Sequence, residues 1–119
     1  MESKELKRKA ELLRRRLLTL IYQGGTGHTG GDLSVLNLLT VLYNHTLHVD
    51  PKNPKMAGRD RFVLSKGHCA EALYVVLCDK ASSARKSWRL MASMVRIWAD
   101  TPTTRFLASR LIRVRLDMV

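Results

Sequence analysis

Residues 24–34 read Gly-Gly-Thr-Gly-His-Thr-Gly-Gly-Asp-Leu-Ser and separate two helical stretches of this 119-residue chain. Five of the nine residues from 23 to 31 are glycine, which predicts a loop because glycine destabilises a helix interior. The loop lacks the Lys-Ser/Thr ending of a P-loop and does not follow a strand, as a dinucleotide-binding glycine motif does. By itself it allows two interpretations, a loop that approaches a ligand and a flexible connector.

Helical periodicity lies on both sides of this loop. Residues 4–22 alternate apolar and charged side chains at helical spacing and predict an amphipathic helix. Asp32 and Ser34 are suitable caps for a second helix over about 33–47. Its expected buried stripe consists of Val35, Leu38, Leu39 and Leu42. A third helix is predicted over residues 69–79, with Ala72, Val75 and Val76 on one side.

A strand and a polar turn are predicted before the third helix. Residues 61–65 read Arg-Phe-Val-Leu-Ser and are typical of a short strand. Residues 65–68, Ser-Lys-Gly-His, predict a turn. The order of elements therefore predicts an α/β fold that is largely helical, with at most one or two short strands.

The chain has four histidines, and their settings differ. His28 and His68 both lie in glycine-flanked turns, which makes them candidate site residues. His45 and His48 lie at the end of the second predicted helix, where we expect structural or solvated side chains.

The formal net charge is +11, from 21 Lys and Arg against 10 Asp and Glu, which favours a nucleic-acid partner. Residues 14–16, Arg-Arg-Arg, could belong to a basic patch. A solvated helix face is the favoured alternative, because Glu5 and Glu11 lie on the same helix. Residues 81–119 contain eight of the basic and two of the acidic residues, and thus about half of the excess charge.

Composition also predicts a compartment. No apolar run approaches the roughly 18–20 residues of a membrane span, and the N-terminus lacks a signal-peptide pattern. Cys69 and Cys78 make neither a disulfide framework nor a metal-binding CxxC pair. We therefore expect a reducing cytoplasm.

Two motifs, in order and at matching separation, resemble the transketolase family. Residues 24–34 resemble its Gly-His-x-Gly loop, and residues 59–68, Arg-Asp-Arg-Phe-Val-Leu-Ser-Lys-Gly-His, resemble its second conserved block. Val-Asp-Pro, residues 49–51, lies between them as in the family. The resemblance covers residues 5–80 and is closest to the N-terminal half of split transketolases.

The resemblance implies a thiamine-diphosphate-binding fold and transfer of a two-carbon ketol unit between sugar phosphates. It also implies two partnerships in the intact enzyme, with a C-terminal transketolase half and with a second copy in a homodimer. The alternative function is that of a small basic protein that binds nucleic acid or a partner protein.

The resemblance further implies roles for five residues. His28 would lie at the substrate side of the cofactor's thiazolium ring, as a catalytic and substrate-binding residue. His68 would bind near the cofactor diphosphate, where Lys66 and Gly67 shape the turn, and Gly31 would also contact the cofactor. The alternative is that the histidines only cap turns.

The family holds Mg²⁺ or Ca²⁺ through a downstream Gly-Asp-Gly segment and a later Asn, the oxygen donors that such ions require. No Gly-Asp-Gly occurs in this chain, so we expect the metal ligands to be absent from it.

The family pattern stops after Lys80, and residues 81–119 contain no glycine. Restoring one G before the Ala81 codon and reading the permitted codons in the shifted frame recovers the family's next motifs, Gly-His-Pro and Asn-Thr-Gly-x-Leu-Gly-His-Gly. Several glycines are forced in that frame, for example by Met91-Ala92 and Trp98-Ala99. We therefore predict that residues 1–80 are a truncated transketolase N-terminal domain and that 81–119 are a basic tail produced by a one-base deletion.

Overall fold

The computed structural model describes residues 1–25, 27–53 and 55–81. Three α-helices contain most of them: α1 (Ser3–Gly24), α2 (Thr29–Val41) and α3 (Ala70–Ala81). Each helix contacts the other two, so one small core lies between them. The predicted tail lies almost entirely outside the described residues, and its origin stays a prediction.

Helix α1 matches its amphipathic pattern. Leu13, Leu17 and Leu20 face the core and are at most 3% exposed, as their spacing predicts. The Glu5 carboxylate accepts the Glu2 amide at 3.2 Å, and thereby satisfies one backbone donor at the start of the helix. Gly25 ends the helix in the left-handed conformation, with φ +70°, and its amide donates to a carbonyl of the last turn.

Helix α2 begins earlier than predicted and buries a different face. It starts after His28 rather than at Asp32 or Ser34, so part of the predicted glycine loop is helical. Leu38 was expected inside but is 57% exposed, and Val35 and Leu42 are only partly buried. The buried positions of the helix are Asp32, Leu36, Leu39 and Thr40, so Leu39 is the one member of the predicted stripe that is fully buried. The prediction was wrong because a helix that is apolar almost all round has no periodicity to define its inner face.

A π-helical turn, Leu42–Thr46, continues α2, and the Leu47 amide donates to the Leu42 carbonyl at 2.7 Å. Residues 61–65 do not form the predicted strand, and Leu64 is an isolated bridge residue. Phe62 instead packs edge-on against Tyr43, with ring centroids 5.8 Å apart. The predicted fold class is nevertheless confirmed, because the described residues are largely helical.

Helix α3 follows a 3-10 turn, Gly67–Cys69, and buries Ala72, Val75 and Val76 as predicted. None of the helices in the described segments is both long enough and apolar enough to cross a membrane.

The arginine run of α1 is used within the fold. Arg14 Nη2 donates to Asn37 Oδ1 of α2 at 3.0 Å, and Arg16 Nη1 donates to Asp79 Oδ1 of α3 at 3.0 Å. Two of the three guanidinium groups therefore bind side chains of α2 and α3. The expectation from sequence was a helix face in contact with solvent alone. No observation on the described residues favours the nucleic-acid alternative.

Candidate functional site

Two turns that are 40 residues apart in sequence meet at one end of the helical core. His28 lies immediately before α2, and His68 lies in the 3-10 turn before α3. Their ring centroids are 5.7 Å apart in an edge-on arrangement, and both residues are exposed. The fold thus brings together the two histidines that the sequence singled out and leaves both accessible to a ligand.

Gly31 is the point of close approach between these turns. A Cβ atom on this residue would lie 3.0 Å from Cys69 Sγ and 3.2 Å from His68 Cδ2. Both distances are shorter than ordinary van der Waals contact, so a side chain here would push the second turn away. The absence of a side chain lets the first turn of α2 lie directly against the 3-10 turn.

Lys66 and Gly67 form the entry to the 3-10 turn. Lys66 is exposed, and its carbonyl accepts the Cys69 amide at 3.1 Å, whereas Gly67 is buried. Burial raises the pKa of the Cys69 thiol even though the Lys66 charge acts to lower it. The buried thiol is thus a neutral packing group, while Lys66 places a positive charge beside the His68 turn.

Asp32 is a site residue that sequence reasoning missed. We expected it to cap α2, but its Oδ1 accepts the Ala72 amide at 3.0 Å and so caps α3. Its own amide donates to the His28 carbonyl at 2.9 Å, which connects it to both turns. Burial, followed by the charge of Glu71, raises the pKa of Asp32 to about 7. The available signal was a carboxylate on an otherwise apolar helix.

The other two histidines lie elsewhere. His45 is in the π-helical turn, beyond the opposite end of α2 from His28, and is exposed. His48 is exposed too, and its backbone amide and carbonyl bond to Asp60 at 2.7 and 3.0 Å. Neither ring belongs to the candidate site, in agreement with the solvated role expected for them.

The site offers hydrogen-bond donors and positive charge. Two exposed imidazoles, one lysine ammonium and the amides at the starts of two helices suit an anionic ligand such as a phosphate group. Within residues 1–25, 27–53 and 55–81, no group of three or more His, Cys, Asp or Glu side chains could hold a metal ion. The donors and the positive charge of the described part of the site therefore suit an anion.

Comparison with known proteins gives one family. The family model described as transketolase, thiamine diphosphate binding domain, matches residues 6–83. One of the subunits of the apulose-4-phosphate transketolase of Phocaeicola vulgatus is 44% identical over 103 residues, which cover 87% of this chain and 37% of that protein. The match therefore extends beyond Lys80.

Two other relatives match a shorter stretch. The 6-deoxy-6-sulfo-D-fructose transketolase subunit SqwG of a Clostridium species is 43% identical over 76 residues, 64% of this chain and 28% of that protein. A transketolase of Cereibacter sphaeroides is 39% identical over 69 residues, 58% of this chain and 10% of that protein. The chain thus spans about a third, or less, of the length of these relatives.

Proposed function

The chain belongs to the transketolase family through its thiamine diphosphate binding domain, and from that premise we propose that it is the N-terminal part of a transketolase. The reaction proposed for the intact enzyme is transfer of a two-carbon ketol unit from a ketose phosphate to an aldose phosphate. The observation that carries the proposal is the contact between His28 and His68, at 5.7 Å, inside the matched region.

The described residues fit the phosphate end of the cofactor. His68 and Lys66 supply a donor and a positive charge, while Gly31 and Gly67 let the backbone approach closely. When bound, thiamine diphosphate supplies the carbon nucleophile of ketol transfer. His28 would lie on the substrate side, where its imidazole can hold or move a proton at a substrate oxygen.

The divalent metal ion is assigned to another part of the intact enzyme. Mg²⁺ or Ca²⁺ binds through oxygen ligands, and the described residues contain no cluster that could hold either ion. We propose that the metal of the intact enzyme is held by residues outside the described part of this chain, and that the 119-residue chain has no activity by itself.

A C-terminal transketolase half is the proposed partner, with a homodimer of the complete unit. Two relatives are described as transketolase subunits, which supports a split enzyme. Leu38 and Val41 are 57% and 39% exposed on the outer side of α2, so apolar surface is available for a partner. Sugar phosphates are the proposed substrates, as in the name of the apulose-4-phosphate enzyme.

The proposed compartment is the cytoplasm. Cys69 and Cys78, the two cysteines of the chain, are not joined in a disulfide, as a reducing environment would keep them. Burial raises the pKa of Cys78 to about 11, so this thiol is neutral and inert at physiological pH.

The function is tested first by cofactor binding. In isothermal titration with thiamine diphosphate and Mg²⁺, we expect the 119-residue chain to give no saturable tight binding. Tight binding by this chain would contradict the assignment of the metal ligands to another part of the enzyme.

Histidine variants test the site in the assembled enzyme. The frame-restored chain, co-produced with a C-terminal transketolase half, should catalyse ketol transfer. His28→Ala and His68→Ala should each lower the rate by about 100-fold or more, the usual value of a positioned acid–base group. The control is His48→Ala, whose backbone bonds to Asp60 survive the change and whose rate should equal that of the unmodified enzyme. Equal rates for all three variants would refute the assigned roles.

We also propose that residues 81–119 arise from a one-base deletion. The recovered motif order and the forced glycines support this. The family model ends at residue 83, whereas the similarity to the Phocaeicola vulgatus subunit continues past Lys80. Sequencing the gene across the Lys80 and Ala81 codons decides it. An additional G would mean that the natural protein continues in the family frame. Its absence, with tail peptides found by mass spectrometry, would mean that the deletion is genuine.

A further inference from the structure

The Asp32 carboxyl lies at the point where α2 meets α3. It is completely buried, and its Oδ1 accepts the Ala72 amide of α3. Its Oδ2 is also buried and has no hydrogen-bond partner among the described residues. A buried oxygen without a partner is costly, so an ionised carboxylate is disfavoured at this position.

Glu71 gives the buried carboxyl an acidic neighbour. The amide that donates to Asp32 is that of Ala72, the residue that follows Glu71 in α3. Glu71 is half-buried, and its charge acts on Asp32. Two nearby carboxyl groups are most stable when they share one proton.

The same contact determines the spacing of the histidines. The Asp32 amide binds the His28 carbonyl, and the Asp32 carboxyl binds α3 three residues after Cys69. Gly31, next to Asp32, lies against Cys69 and His68 with no room for a side chain. A displacement of Asp32 from α3 therefore moves His28 and His68 relative to one another.

We propose that Asp32 is a positioning residue: with Glu71 beside it, its carboxyl holds the start of α2 against the start of α3 and sets the contact between His28 and His68. The inference rests on the proposed function only in treating those histidines as site residues. The contact itself requires no cofactor.

Protonation governs the strength of this connection. While the Asp32 carboxyl is protonated, its O–H can donate to the Glu71 carboxylate, whose charge, after burial, raises the pKa of Asp32. Loss of that proton leaves two adjacent carboxylates in a buried place, and their repulsion pushes α2 from α3. Other titratable or charged groups nearby are His28 before α2, the residues Lys66, His68 and Cys69 in the turn before α3, and Tyr74 of α3, whose pKa is raised by burial and by the Glu71 charge.

The test is a pH titration of the complete 119-residue chain by NMR, with no ligand added. The Ala72 amide should shift with a midpoint near pH 7, and the cross-peak between the His28 and His68 rings should weaken above it. In Asp32→Asn, which keeps an oxygen acceptor but cannot ionise, the Ala72 transition should vanish and the cross-peak should persist at high pH.

Asp60→Asn is the matched control, because Asp60 also accepts a backbone amide, from His48 at 2.7 Å, but is exposed. In this variant the Ala72 amide shift and the His28–His68 cross-peak should depend on pH as they do in the unmodified chain. If Asp32→Asn does not fold, Glu71→Gln is the second test variant. It should lower the midpoint pH of the Ala72 amide shift by about one pH unit or more. An unchanged midpoint in Glu71→Gln, or a cross-peak whose pH dependence is the same in Asp32→Asn, would overturn the proposal. Failure of the frame-restored chain to catalyse ketol transfer with a C-terminal transketolase half would refute the proposed function and leave this result standing.

Discussion

Asp79 Oδ1 of α3 lies 3.0 Å from Arg16 Nη1 of α1, across 63 residues of sequence. Its other oxygen lies 2.8 Å from the Lys9 ammonium, so one carboxylate binds two cations of the first helix. The Asp79 side chain is only 13% exposed, which limits screening by solvent. These ion pairs fasten the C-terminal end of α3 to α1, and the core lies beneath them.

We expect Asp79→Asn to lower the free energy of unfolding by about 1–2 kcal/mol, between the values typical of surface and buried ion pairs. Urea denaturation followed by circular dichroism measures the change. Glu11→Gln, which neutralises an exposed carboxylate on α1, should change it by less than about 0.5 kcal/mol. Equal effects of the two substitutions would show that the ion pairs add nothing to the fold.

Leu17 and Leu18 form a matched pair for the core. Leu17 is fully buried between the helices, whereas its neighbour Leu18 is 43% exposed. Leu17→Ala should lower the free energy of unfolding by about 2–4 kcal/mol, because it removes buried methyl groups and leaves a cavity. Leu18→Ala should cost less than about 1 kcal/mol in the same measurement. A reversed order would mean that α1 presents a different face to α2 and α3.

Gly30 and Gly31 test the close approach of the two turns. Nothing lies within 4 Å of a Cβ atom added at Gly30, so Gly30→Ala should raise stability by up to about 1 kcal/mol through helix propensity. Gly31→Ala has the same propensity gain but forces its methyl group against Cys69 and His68. We expect it to be less stable than Gly30→Ala by at least about 1 kcal/mol, and to shift the His68 ring signals in NMR. Equal stabilities and unchanged His68 signals in the two variants would mean that the Gly67–Cys69 turn moves without cost to accommodate the methyl group.

Stability should depend on pH through Asp32. Its pKa rises from an ordinary value of 3.8 to about 7 in the folded chain, so the folded state holds this proton more tightly than the unfolded state. This contribution is fully present below about pH 4 and is lost as the pH rises through about 7. Asp32→Asn should therefore match the unmodified chain at or below about pH 4 and exceed it by about 1 kcal/mol or more near pH 8.

Urea denaturation at a series of pH values checks this prediction. The exposed Asp60→Asn variant should keep the slope of the unmodified chain. A slope that Asp32→Asn does not alter would assign the pH dependence to other groups.

Much of the local structure could be predicted from residues alone. The periodicity of Leu13, Leu17 and Leu20 identified both α1 and its buried face, because charged residues separate the apolar ones. The motifs around His28 and His68 identified the family, since glycine and histidine in that order and separation are specific. The strand at 61–65 was a wrong prediction, because a strand requires a pairing partner and Phe62 packs on Tyr43 instead.

The sequence by itself determined the helical nature of the described chain, the family and the two candidate site histidines, because these depend on periodicity and on motifs read along the chain. Only the tertiary structure decided which face of α2 is buried and that Asp32 caps α3 at Ala72. It alone also placed the two histidine rings 5.7 Å apart. Those features depend on contacts between residues 40 positions apart, and such contacts form only when burial of apolar surface brings the helices together.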